Sequence, residues 1–364
     1  MKILLLAGEE SGAMYAEQIA EAVCGKDPSA EIRGYGDAGF EIADLAVIGF
    51  FAVLRKAFFF LRVKRTMERM IDEWRPDVVC TVDYPGMNLK LAAYAKRRGV
   101  RTVHVVCPQV WAWKKGRIPK IEASLDKLCC FFPFEPKLFK PGFAEFVGHP
   151  LVDEMGRRDQ GEGIRDQGSK LLAILPGSRM GEIEKHLPTL LKVVEMLQAE
   201  TPDLKVVIPA ANERAHAAIV SRVSRLMSSP GAVEIRLGGA RETLRSATAA
   251  VVASGTATLE AAIAGCPTVL VYRVGWLFAA IMRLLIRGVR HLGLANIIAE
   301  KAGIPCPMPE LLQENFTAEG VRDLIRPLLT DAAANAAARK ALSETMARLG
   351  SGGDSITKIA HILV

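Results

Sequence analysis

An aspartate at the end of a strand-like run is the first residue in this sequence that is well placed for chemistry. The run is Asp77–Val82, and Asp83 follows it directly, just ahead of a proline that would stop the strand. A carboxylate in this position can accept a proton from a sugar hydroxyl group, which is the task of a general base. The alternative is that Asp83 caps a helix that begins near Asn88. We favour the general base.

A basic residue after another strand-like run offers complementary chemistry. The run Leu171–Leu175 is followed by Pro176 and then by Gly177, Ser178 and Arg179. Backbone amides at the start of a helix, together with a guanidinium, are typical of a phosphate-binding loop. We therefore expect Arg179 to stabilise a phosphate group, with Gly177 and Ser178 as further contacts.

Small and hydroxylated residues follow a third such run, Ala249–Ala253. They offer amide and hydroxyl donors to a diphosphate at the point where the chain turns into a helix. Glu260 lies one turn further on and can reach a ribose diol, although a solvated helix carboxylate is the ordinary alternative. The predicted contacts in this segment are Ser254, Gly255, Thr256, Thr258 and Glu260.

Two loops in the first part of the chain are weaker candidates. Gly8, Ser11 and Gly12 follow the first strand-like run and would direct the amides of a helix N-terminus at an anion. Their spacing is neither GxGxxG nor that of a P-loop, so a tight turn between strand and helix explains them equally well. Trp111 and Trp113 follow a later run and either stack on a sugar or fill the core.

Motifs for metals and for hydrolases are absent from the sequence. There is no Asp-x-Asp pair, no HExxH and no GxSxG, which argues against a metal-dependent transferase, a zinc hydrolase and an α/β-hydrolase. The seven cysteines are odd in number and lack CxxC spacing, so neither a disulfide framework nor a zinc site is indicated. We expect no cofactor, no metal, and a reducing cytosol as the compartment.

Alternating strand-like and helical runs position these residues. Over 1–155 the alternation predicts one doubly wound parallel sheet, and over 170–320 it predicts a second. Residues Glu154–Lys170 lose apolar periodicity and mark a linker. The sequence thus predicts an α/β chain with two Rossmann-like domains facing a central cleft, the GT-B fold. Helices over 321–364 would cross back to the first domain or mediate dimerisation. The predicted strands are Ile3–Ala7, Asp77–Val82, Arg101–Val106, Leu128–Phe132, Leu171–Leu175, Lys205–Pro209, Val233–Leu237, Ala249–Ala253 and Thr268–Tyr272.

The net charge of +7 and the pI near 9.0 indicate an anionic partner. Two stretches, 49–65 and 276–290, combine bulky apolar residues with Arg and Lys, as helices at a membrane interface do. No recognition helix or stacking platform for nucleic acid is evident, so an anionic membrane surface is the favoured partner. No run approaches the length of a membrane span, and the short apolar start of the chain is typical of a buried strand and not of a signal peptide. We therefore expect peripheral attachment.

Taken together, these segments resemble the lipid-A-disaccharide synthase family along most of the chain. Any one matching segment would be weak, but their shared order is hard to produce by chance. They are Ala7–Gly12, Val47–Phe50, Pro76–Asp77 with Val82–Asp83, Val110–Trp113, Phe132–Glu135, Val147–Pro150, Leu175–Arg179, Ala253–Glu260 and Tyr272–Arg273.

The resemblance implies a metal-independent, inverting glycosyl transfer in lipid A biosynthesis. The 6-hydroxyl group of 2,3-diacylglucosamine 1-phosphate, called lipid X, attacks the anomeric carbon of UDP-2,3-diacylglucosamine, which gives a β-1,6-linked disaccharide and UDP. The resemblance also implies that Asp83 is the general base and that Arg179 steadies the departing diphosphate. On the same ground His149, Arg273 and Asn296 join the substrate-binding residues. The family is peripheral to the cytoplasmic face of the Gram-negative inner membrane, and some members are homodimers.

The sequence departs from the family pattern at three positions. Ala13, Ala52 and Gly86 stand where the family usually has an acidic residue. These losses leave substrate choice and activity open. The alternatives are a UDP-GlcNAc 2-epimerase-like enzyme, another GT-B transferase with a different acceptor, and a non-catalytic lipid-binding relative. We favour a working synthase because Asp83 and Arg179 are both present.

Overall fold

The structure, a computed structural model, describes residues 1–41, 45, 57–112, 115–158, 170–227, 233–275, 290–350 and 354–364. The chain divides into two compact units, one formed by Met1–Glu154 with Ser351–Val364 and the other by Met155–Gly350. Each unit contains a six-stranded sheet, and all the registered strand pairs are parallel. The predicted α/β class is confirmed.

The first unit is built around a sheet whose central strands are buried on both faces. The strands are β1 (Lys2–Ala7), β2 (Glu31–Arg33), β3 (Val78–Val82), β4 (Arg101–Val105), β5 (Lys127–Cys130) and β6 (Ala144–Phe146), and the helices are α1 (Glu10–Lys26), α2 (Ala57–Trp74), α3 (Asn88–Arg97), α4 (Ile118–Ser124) and the first part of α5 (Pro150–Arg158), which continues into the second unit after Glu154. The sheet order is β2-β1-β3-β4-β5-β6. The central strands β1, β3 and β4 are rich in Val, Leu and Ile, as expected for a parallel sheet covered by helices.

The second unit repeats this architecture. Its strands are β7 (Leu171–Leu175), β8 (Lys205–Ala210), β9 (Val233–Leu237), β10 (Ala249–Ala253), β11 (Thr268–Tyr272) and β12 (Glu310–Leu312), and its helices are α6 (Met180–Glu200), α7 (Glu213–Leu226), α8 (Ala240–Ser246), α9 (Thr256–Ile263), α10 (Leu294–Ala302), α11 (Ala318–Thr330) and α12 (Ala332–Met346). The sheet order is β12-β11-β10-β7-β8-β9. An apolar cluster of α6, α7 and α11 residues packs against this sheet.

The strand registers bring the ends of neighbouring strands together. In the first sheet Ala7 lies beside Val82, and Val82 lies beside Val105. The residues that follow these three strands therefore meet at one edge, which is where ligands bind in open α/β sheets. In the second sheet Val252 pairs with Leu175, so the loops after β7 and β10 are neighbours in the same way.

The last helix, α13 (Ser355–Leu363), belongs to the first unit. It packs against α1, and Ile359 and Leu363 are buried with Ile19 in one apolar cluster. At its start the Ser355 amide donates to the Asp153 carboxylate at 2.8 Å. Helices α11 and α12 lie in the second unit, so the residues over 321–364 are divided between the two units.

Some strand boundaries differ from the prediction. β2, β6 and β12 have three residues each, too few to show an alternating pattern, and they are absent from the predicted strands. The strand predicted at Leu128–Phe132 lies instead at Lys127–Cys130. The strand predicted at Arg101–Val106 stops one residue earlier, because Val106 has a φ of +76°, outside the β region.

Three stretches singled out in the sequence lie partly outside the described residues. Of the linker predicted at Glu154–Lys170, the structure describes α5 as far as Arg158 and then Lys170. Of the two stretches predicted to face a membrane, it describes the part of 49–65 that lies in α2, and only the last residue of 276–290. Among the described residues, no helix combines the length and the apolar character that crossing a membrane would need.

Two buried histidines make the first unit sensitive to acid. His104, in β4, has its Nδ1 atom 2.7 Å from the hydroxyl oxygen of Thr81, and its Nε2 atom has no hydrogen-bond partner among the described residues. Burial lowers the pKa of His104 to about 3 and the pKa of His149 to about 4. Both side chains are therefore neutral in the folded protein, whereas they titrate near pH ~6.5 in the unfolded chain.

We expect the two histidines to lower the free energy of unfolding as the pH drops below about 6.5, because the unfolded state then binds protons that the folded state does not. Each contributes at most ~1.4 kcal/mol per pH unit, so their joint contribution between about pH 6.5 and about pH 5 is a loss of roughly 3 kcal/mol. Glu135, whose pKa burial raises to about 8, acts in the opposite direction, because in this range it binds a proton more readily in the folded state. The test is therefore the difference between variant and wild type, measured by urea unfolding followed by tryptophan fluorescence at the two pH values. His104→Asn should lose about 1.5 kcal/mol less than the wild type between them, whereas His361→Asn, at an exposed position, should behave as wild type. An equal pH dependence of His104→Asn and the wild type would contradict the burial argument.

Candidate active site

The loops after β3 and β4 enclose a cavity of about 240 Å³ in the first unit. Asp83 lies in its wall at the end of β3, and Trp111 lies in the wall formed by the loop after β4. The other lining residues are Pro85, Val106, Cys107, Pro108, Gln109, Arg117, Phe132 and Glu135. The structure thus brings two of the residues predicted from the sequence, Asp83 and Trp111, to one cavity.

Asp83 is held in a strained loop. Asp83 and Tyr84 both have a φ of +49°, in the left-handed region that residues with a side chain seldom adopt. The Asn88 side chain fixes this loop, since its Nδ2 donates to the carbonyl oxygens of Val82 at 3.2 Å and of Asp83 at 2.9 Å. Backbone strain of this kind clusters at functional sites, where the surrounding structure maintains it.

Asp83 does not cap helix α3, which was the alternative to its role as a general base. Helix α3 has Met87 as its N-cap residue and no side-chain cap, so the hypothesis that Asp83 caps it is wrong. Burial raises the pKa of Asp83, and the Tyr84 N–H group, which donates to the carboxylate, opposes this rise. A carboxylate with a raised pKa is a stronger proton acceptor than an exposed aspartate.

The glycines of the first loop make room for the loop after β3. A Cβ atom on Gly8 would lie 2.4 Å from Cδ1 of Tyr84, and a Cβ atom on Gly12 would lie 3.8 Å from Cβ of Asp83. The close approach of the Tyr84 ring therefore requires glycine at position 8. This contact explains the glycine at position 8 by packing in a tight turn between strand and helix. The side chain of Ser11 and the whole of Trp113 lie outside the described part of the structure.

Trp111 is a buried residue in the wall of the cavity, and its ring is not an exposed surface on which a sugar could stack. Its Nε1–H group donates to Glu135 Oε1 at 3.1 Å, and its ring meets Phe134 edge to face with the centroids 5.6 Å apart. Glu135, which was not among the predicted site residues, is 2 % exposed and also accepts the Phe132 N–H group at 3.1 Å. Burial raises the pKa of Glu135 to about 8, so this carboxyl group is largely protonated at neutral pH.

Two cysteines lie beside Glu135. The sulfur atoms of Cys107 and Cys130 and a carboxylate oxygen of Glu135 lie within 4.8 Å of one another. A hydrogen bond with Cys130, together with burial, raises the pKa of Cys107, so its thiol is uncharged. Thiol and carboxyl groups bind metals in their deprotonated forms, which are disfavoured for Cys107 and Glu135. That the reaction needs no metal stays a prediction.

His149 is packed away from the cavity around Asp83. Its ring lies between Phe131 and Phe132, with centroid distances of 5.1 and 5.7 Å, and its Nδ1 atom accepts the Leu151 N–H group at 3.2 Å. These contacts fix the start of α5. The predicted contact between His149 and substrate therefore gains no support from its position.

The carboxyl edge of the second sheet holds a cavity of about 340 Å³. The predicted residues that line it come from the loops after β7 and β10, and they are Gly177, Ser178, Arg179, Ser254, Gly255, Thr256 and Glu260. Glu260 forms an ion pair with Arg241, with Nε and Oε1 2.9 Å apart. Two segments that are distant in sequence thus form one wall, as the rule for strand ends predicts.

The loop after β7 depends on Gly177. Its φ of +113° suits glycine, and a Cβ atom there would lie 2.6 Å from Oε2 of Glu182. Glu182 closes the start of α6, since it accepts the Arg179 N–H group at 3.4 Å and pairs with the Arg179 guanidinium at 3.1 Å. The Arg179 side chain is still 65 % exposed, so the guanidinium can contact a ligand that lies at the N-terminus of α6.

The loop after β10 presents the start of α9 to the same cavity. Gly255 is the N-cap residue with a φ of +152°, and the helix begins at Thr256. Backbone amides in the first turn of a helix lack partners within the helix and attract anions. Thr258, by contrast, is fully buried, and its hydroxyl group donates to the Gly255 carbonyl oxygen at 2.8 Å. Thr258 therefore stabilises the turn, and its predicted contact with substrate gains no support from its position.

The side chains of Arg273 and Asn296 form hydrogen bonds with loop backbone. Arg273 Nε donates to the Gln313 carbonyl oxygen at 3.3 Å, and the guanidinium lies 4.8 Å from the centroid of the Phe316 ring. Asn296 is fully buried, its Nδ2 donates to the Met308 carbonyl oxygen at 2.7 Å, and its Oδ1 accepts the Met308 N–H group at 3.0 Å. Neither residue lines the cavity of the second unit, so neither predicted contact with substrate is supported.

Comparison with known proteins decides the family. A family model described as lipid-A-disaccharide synthetase matches residues 3–354. The chain belongs to the lipid-A-disaccharide synthase family. A lipid-A-disaccharide synthase from Myxococcus xanthus is 33 % identical over 378 residues, which cover 100 % of this chain and 97 % of that protein. One from Xanthomonas campestris pv. campestris is 36 % identical over 335 residues, which cover 87 % and 76 %. The resemblance inferred from the sequence is confirmed.

Solved structures share the fold over the whole chain. A UDP-GlcNAc 2-epimerase from Neisseria meningitidis, bound to UDP-GlcNAc, has a TM-score of 0.57 at 11 % identity and covers 100 % of this chain and 98 % of its own. The calicheamicin glycosyltransferase CalG4 has a TM-score of 0.61 at 15 % identity, with coverages of 100 % and 97 %. At such identities the likeness concerns the fold alone. Together with the two parallel sheets, it confirms the GT-B class.

As a member of the lipid-A-disaccharide synthase family, the chain is a glycosyltransferase of lipid A biosynthesis. Two of the three positions that depart from the family pattern can be placed. Ala13 lies on α1 and packs partly against the apolar cluster of the first sheet. Gly86 is exposed, and a Cβ atom there would have no neighbour within 4 Å. Ala52 lies outside the described residues.

Proposed function

We propose that this chain is an inverting glycosyltransferase that joins UDP-2,3-diacylglucosamine to 2,3-diacylglucosamine 1-phosphate. The products are a β-1,6-linked tetraacyl disaccharide 1-phosphate and UDP. Membership of the family supports this class of reaction. The single observation that supports the chemistry most is the Asp83 carboxyl group, which lies in a strained loop in the wall of a cavity.

In the proposed reaction Asp83 removes the proton from the 6-hydroxyl group of the acceptor while its oxygen attacks the anomeric carbon. The bond between that carbon and the diphosphate oxygen of UDP breaks on the opposite face of the sugar, which inverts the anomeric configuration. The electron pair of the broken bond stays with UDP. The raised pKa of Asp83 supports its role, because a stronger base lowers the barrier to removing a hydroxyl proton.

We assign the UDP part of the donor to the cavity of the second unit. The Arg179 guanidinium would offset the negative charge that grows on the diphosphate as UDP leaves, and the first amides of α6 and α9 would add hydrogen bonds. Glu260 would accept hydrogen bonds from the ribose hydroxyl groups. Because a guanidinium and two helix N-termini supply the positive charge, the proposed reaction requires no metal ion.

We further propose that the protein binds peripherally to the anionic, cytoplasmic face of the inner membrane. On α2, Phe58 is 88 % exposed and Leu61 is 48 % exposed. Arg62 and Arg65 are exposed on the same helix, and the spacing of the four residues puts them on one face. Apolar side chains beside cations suit the boundary between lipid headgroups and acyl chains. Dimerisation through the C-terminal helices stays a prediction.

The alternatives differ in what they need for turnover. A UDP-GlcNAc 2-epimerase-like enzyme would act on the UDP-sugar without a lipid acceptor, and another GT-B transferase would need a different acceptor. A non-catalytic lipid-binding relative would bind substrates and release no UDP. The dependence of UDP release on the acceptor therefore separates the proposal from each of them.

The test is UDP release by purified protein in detergent micelles, with UDP-2,3-diacylglucosamine as donor and EDTA present. We expect release only when 2,3-diacylglucosamine 1-phosphate is added, together with a disaccharide product detected by mass spectrometry. Donor binding without release, under conditions in which an authentic family member turns over, would overturn the proposal. Release without any acceptor would favour an epimerase or a hydrolase.

A further inference from the structure

A second cavity of the first unit, of about 330 Å³, is strongly basic. Five cationic side chains and one carboxylate line it: Lys64, Lys90, Arg97, Arg117, Lys120 and Glu68. They come from α2, α3, α4 and the turn before α4, so the fold assembles them from segments that are distant in sequence. Cations that lie this close together repel one another, and a bound anion reduces the repulsion.

Within the cavity only one cation has an anionic partner among the described residues. Lys64 pairs with Glu68 at 2.5 Å. No ion pair to a carboxylate joins Lys90, Arg117 or Lys120 in the described part of the chain, and the same holds for the Arg97 guanidinium, which lies 5.8 Å from the centroid of the Tyr94 ring. The cavity therefore holds an excess of positive charge that no described group neutralises.

The basic cavity adjoins the cavity that contains Asp83. Pro85 and Arg117 line both cavities. An anion held by Arg117 and its neighbours would thus lie close to the Asp83 carboxyl group. In a glucosamine 1-phosphate, the phosphate is attached to C1 and the 6-hydroxymethyl group to C5, the two carbons that flank the ring oxygen. A sugar at the junction of two adjoining cavities can therefore present one group to each.

We propose that the basic cavity binds the phosphate monoester of the acceptor sugar and so orients its 6-hydroxyl group towards Asp83. This inference rests on the proposed function, because it assigns a subsite to that acceptor. Lysine and arginine side chains are the usual partners of phosphate. Lys64 belongs to the helix that exposes Phe58 and Leu61, which leaves the acyl chains of the same acceptor an apolar surface nearby.

Charge reversal at Lys90 offers an independent way to test the cavity. Lys90 lines the basic cavity and is exposed on α3. Lys90→Glu should therefore fold normally and place a carboxylate among the cations. Its effect should match that of removing two lysines, in Lys90→Ala/Lys120→Ala. Lys340→Ala is the matched control, since Lys340 is an exposed lysine of α12 in the second unit.

The first experiment measures binding without turnover. Purified full-length protein is titrated with glucosamine 1-phosphate and, separately, with glucosamine, and binding is followed by NMR. We expect the Kd for glucosamine 1-phosphate to rise roughly tenfold in Lys90→Ala/Lys120→Ala and in Lys90→Glu, since hydrogen bonds to charged groups are the stronger ones. Binding of glucosamine should not change in these variants, and Lys340→Ala should behave as wild type. An unchanged Kd for the phosphorylated sugar in both variants would overturn the proposal.

The second experiment separates this inference from the proposed function. With the full substrates, both cavity variants should raise the KM for the phosphorylated acceptor and also lower kcat, because the 6-hydroxyl group is then less well oriented. They should have no further effect on an acceptor that lacks the phosphate. If wild-type protein binds glucosamine 1-phosphate through the lysines but never turns over, the proposed function fails and the subsite stands. If the variants lose binding to phosphatidylglycerol vesicles but keep binding glucosamine 1-phosphate, the cavity serves lipid headgroups and the inference is overturned.

Discussion

Asp83→Asn is expected to lower kcat for acceptor-dependent UDP release at least ~100-fold, because a positioned general base contributes about that factor or more. The amide is nearly the same shape as the carboxylate but cannot take a proton, so binding of both substrates should change little. In the wild-type protein kcat should rise with pH through the pKa of Asp83, which burial places above the usual value for aspartate. The variant should lose this rise. Steady-state kinetics across pH measure both effects.

Asp77→Asn is the matched control for this variant. Asp77 is exposed and precedes the same strand, and its carboxylate accepts the Lys2 N–H group at 2.7 Å, a contact that an asparagine can also make. We expect wild-type kinetics from Asp77→Asn. Near-normal turnover by Asp83→Asn, with unchanged circular dichroism, would remove Asp83 from the reaction and leave its strained loop without a catalytic explanation.

Arg179→Ala is expected to lower kcat by roughly 100-fold or more, because preorganised charge that stabilises a leaving group acts mainly in the transition state. The Arg179 side chain is largely exposed at the edge of its cavity, so its removal should leave the fold intact. UDP binding should weaken much less than kcat falls. Calorimetric titration with UDP and steady-state kinetics of the same preparation give the two numbers.

Two further variants sharpen this test. Arg179→Lys keeps the charge but loses the planar fork of the guanidinium, so it should recover part of the activity. Arg236→Ala is the control, because Arg236 is about half exposed at the end of β9 and also pairs with a neighbouring glutamate, Glu234. A loss of UDP affinity equal to the loss in kcat would show that Arg179 acts in binding and not in departure of the diphosphate.

The central residues of the site could be predicted because they follow the ends of strands. Asp83, Arg179 and Ser254 each follow a buried run of β-branched or apolar residues, and parallel strands place such residues at one edge of a sheet. The rule needs only local sequence, and the structure places all three in cavity walls. The α/β class followed from the same alternation, since buried parallel strands and amphipathic helices have different periods.

Other predicted contacts with substrate gain no support from the structure, because polar residues near a strand end have two uses that sequence does not distinguish. Thr258, Arg273 and Asn296 satisfy loop backbone, and Trp111 is tied to the buried Glu135. Only the three-dimensional course of the loops shows which polar group faces a cavity. The basic cavity left no local signal at all, because its lysines and arginines come from separate helices, each of which looks like an ordinary solvated surface.

The placement of α13 has a consequence for synthesis of the protein on the ribosome. The residues of α13 cover the apolar side of α1, yet nearly two hundred residues of the second unit, Met155–Gly350, are translated between the first 154 residues and this helix. The sheet of the first unit can form early, but Ile19 and Val23 stay uncovered until translation has passed Leu363. The nascent chain therefore exposes an apolar face throughout most of its elongation, which is the situation that recruits chaperones.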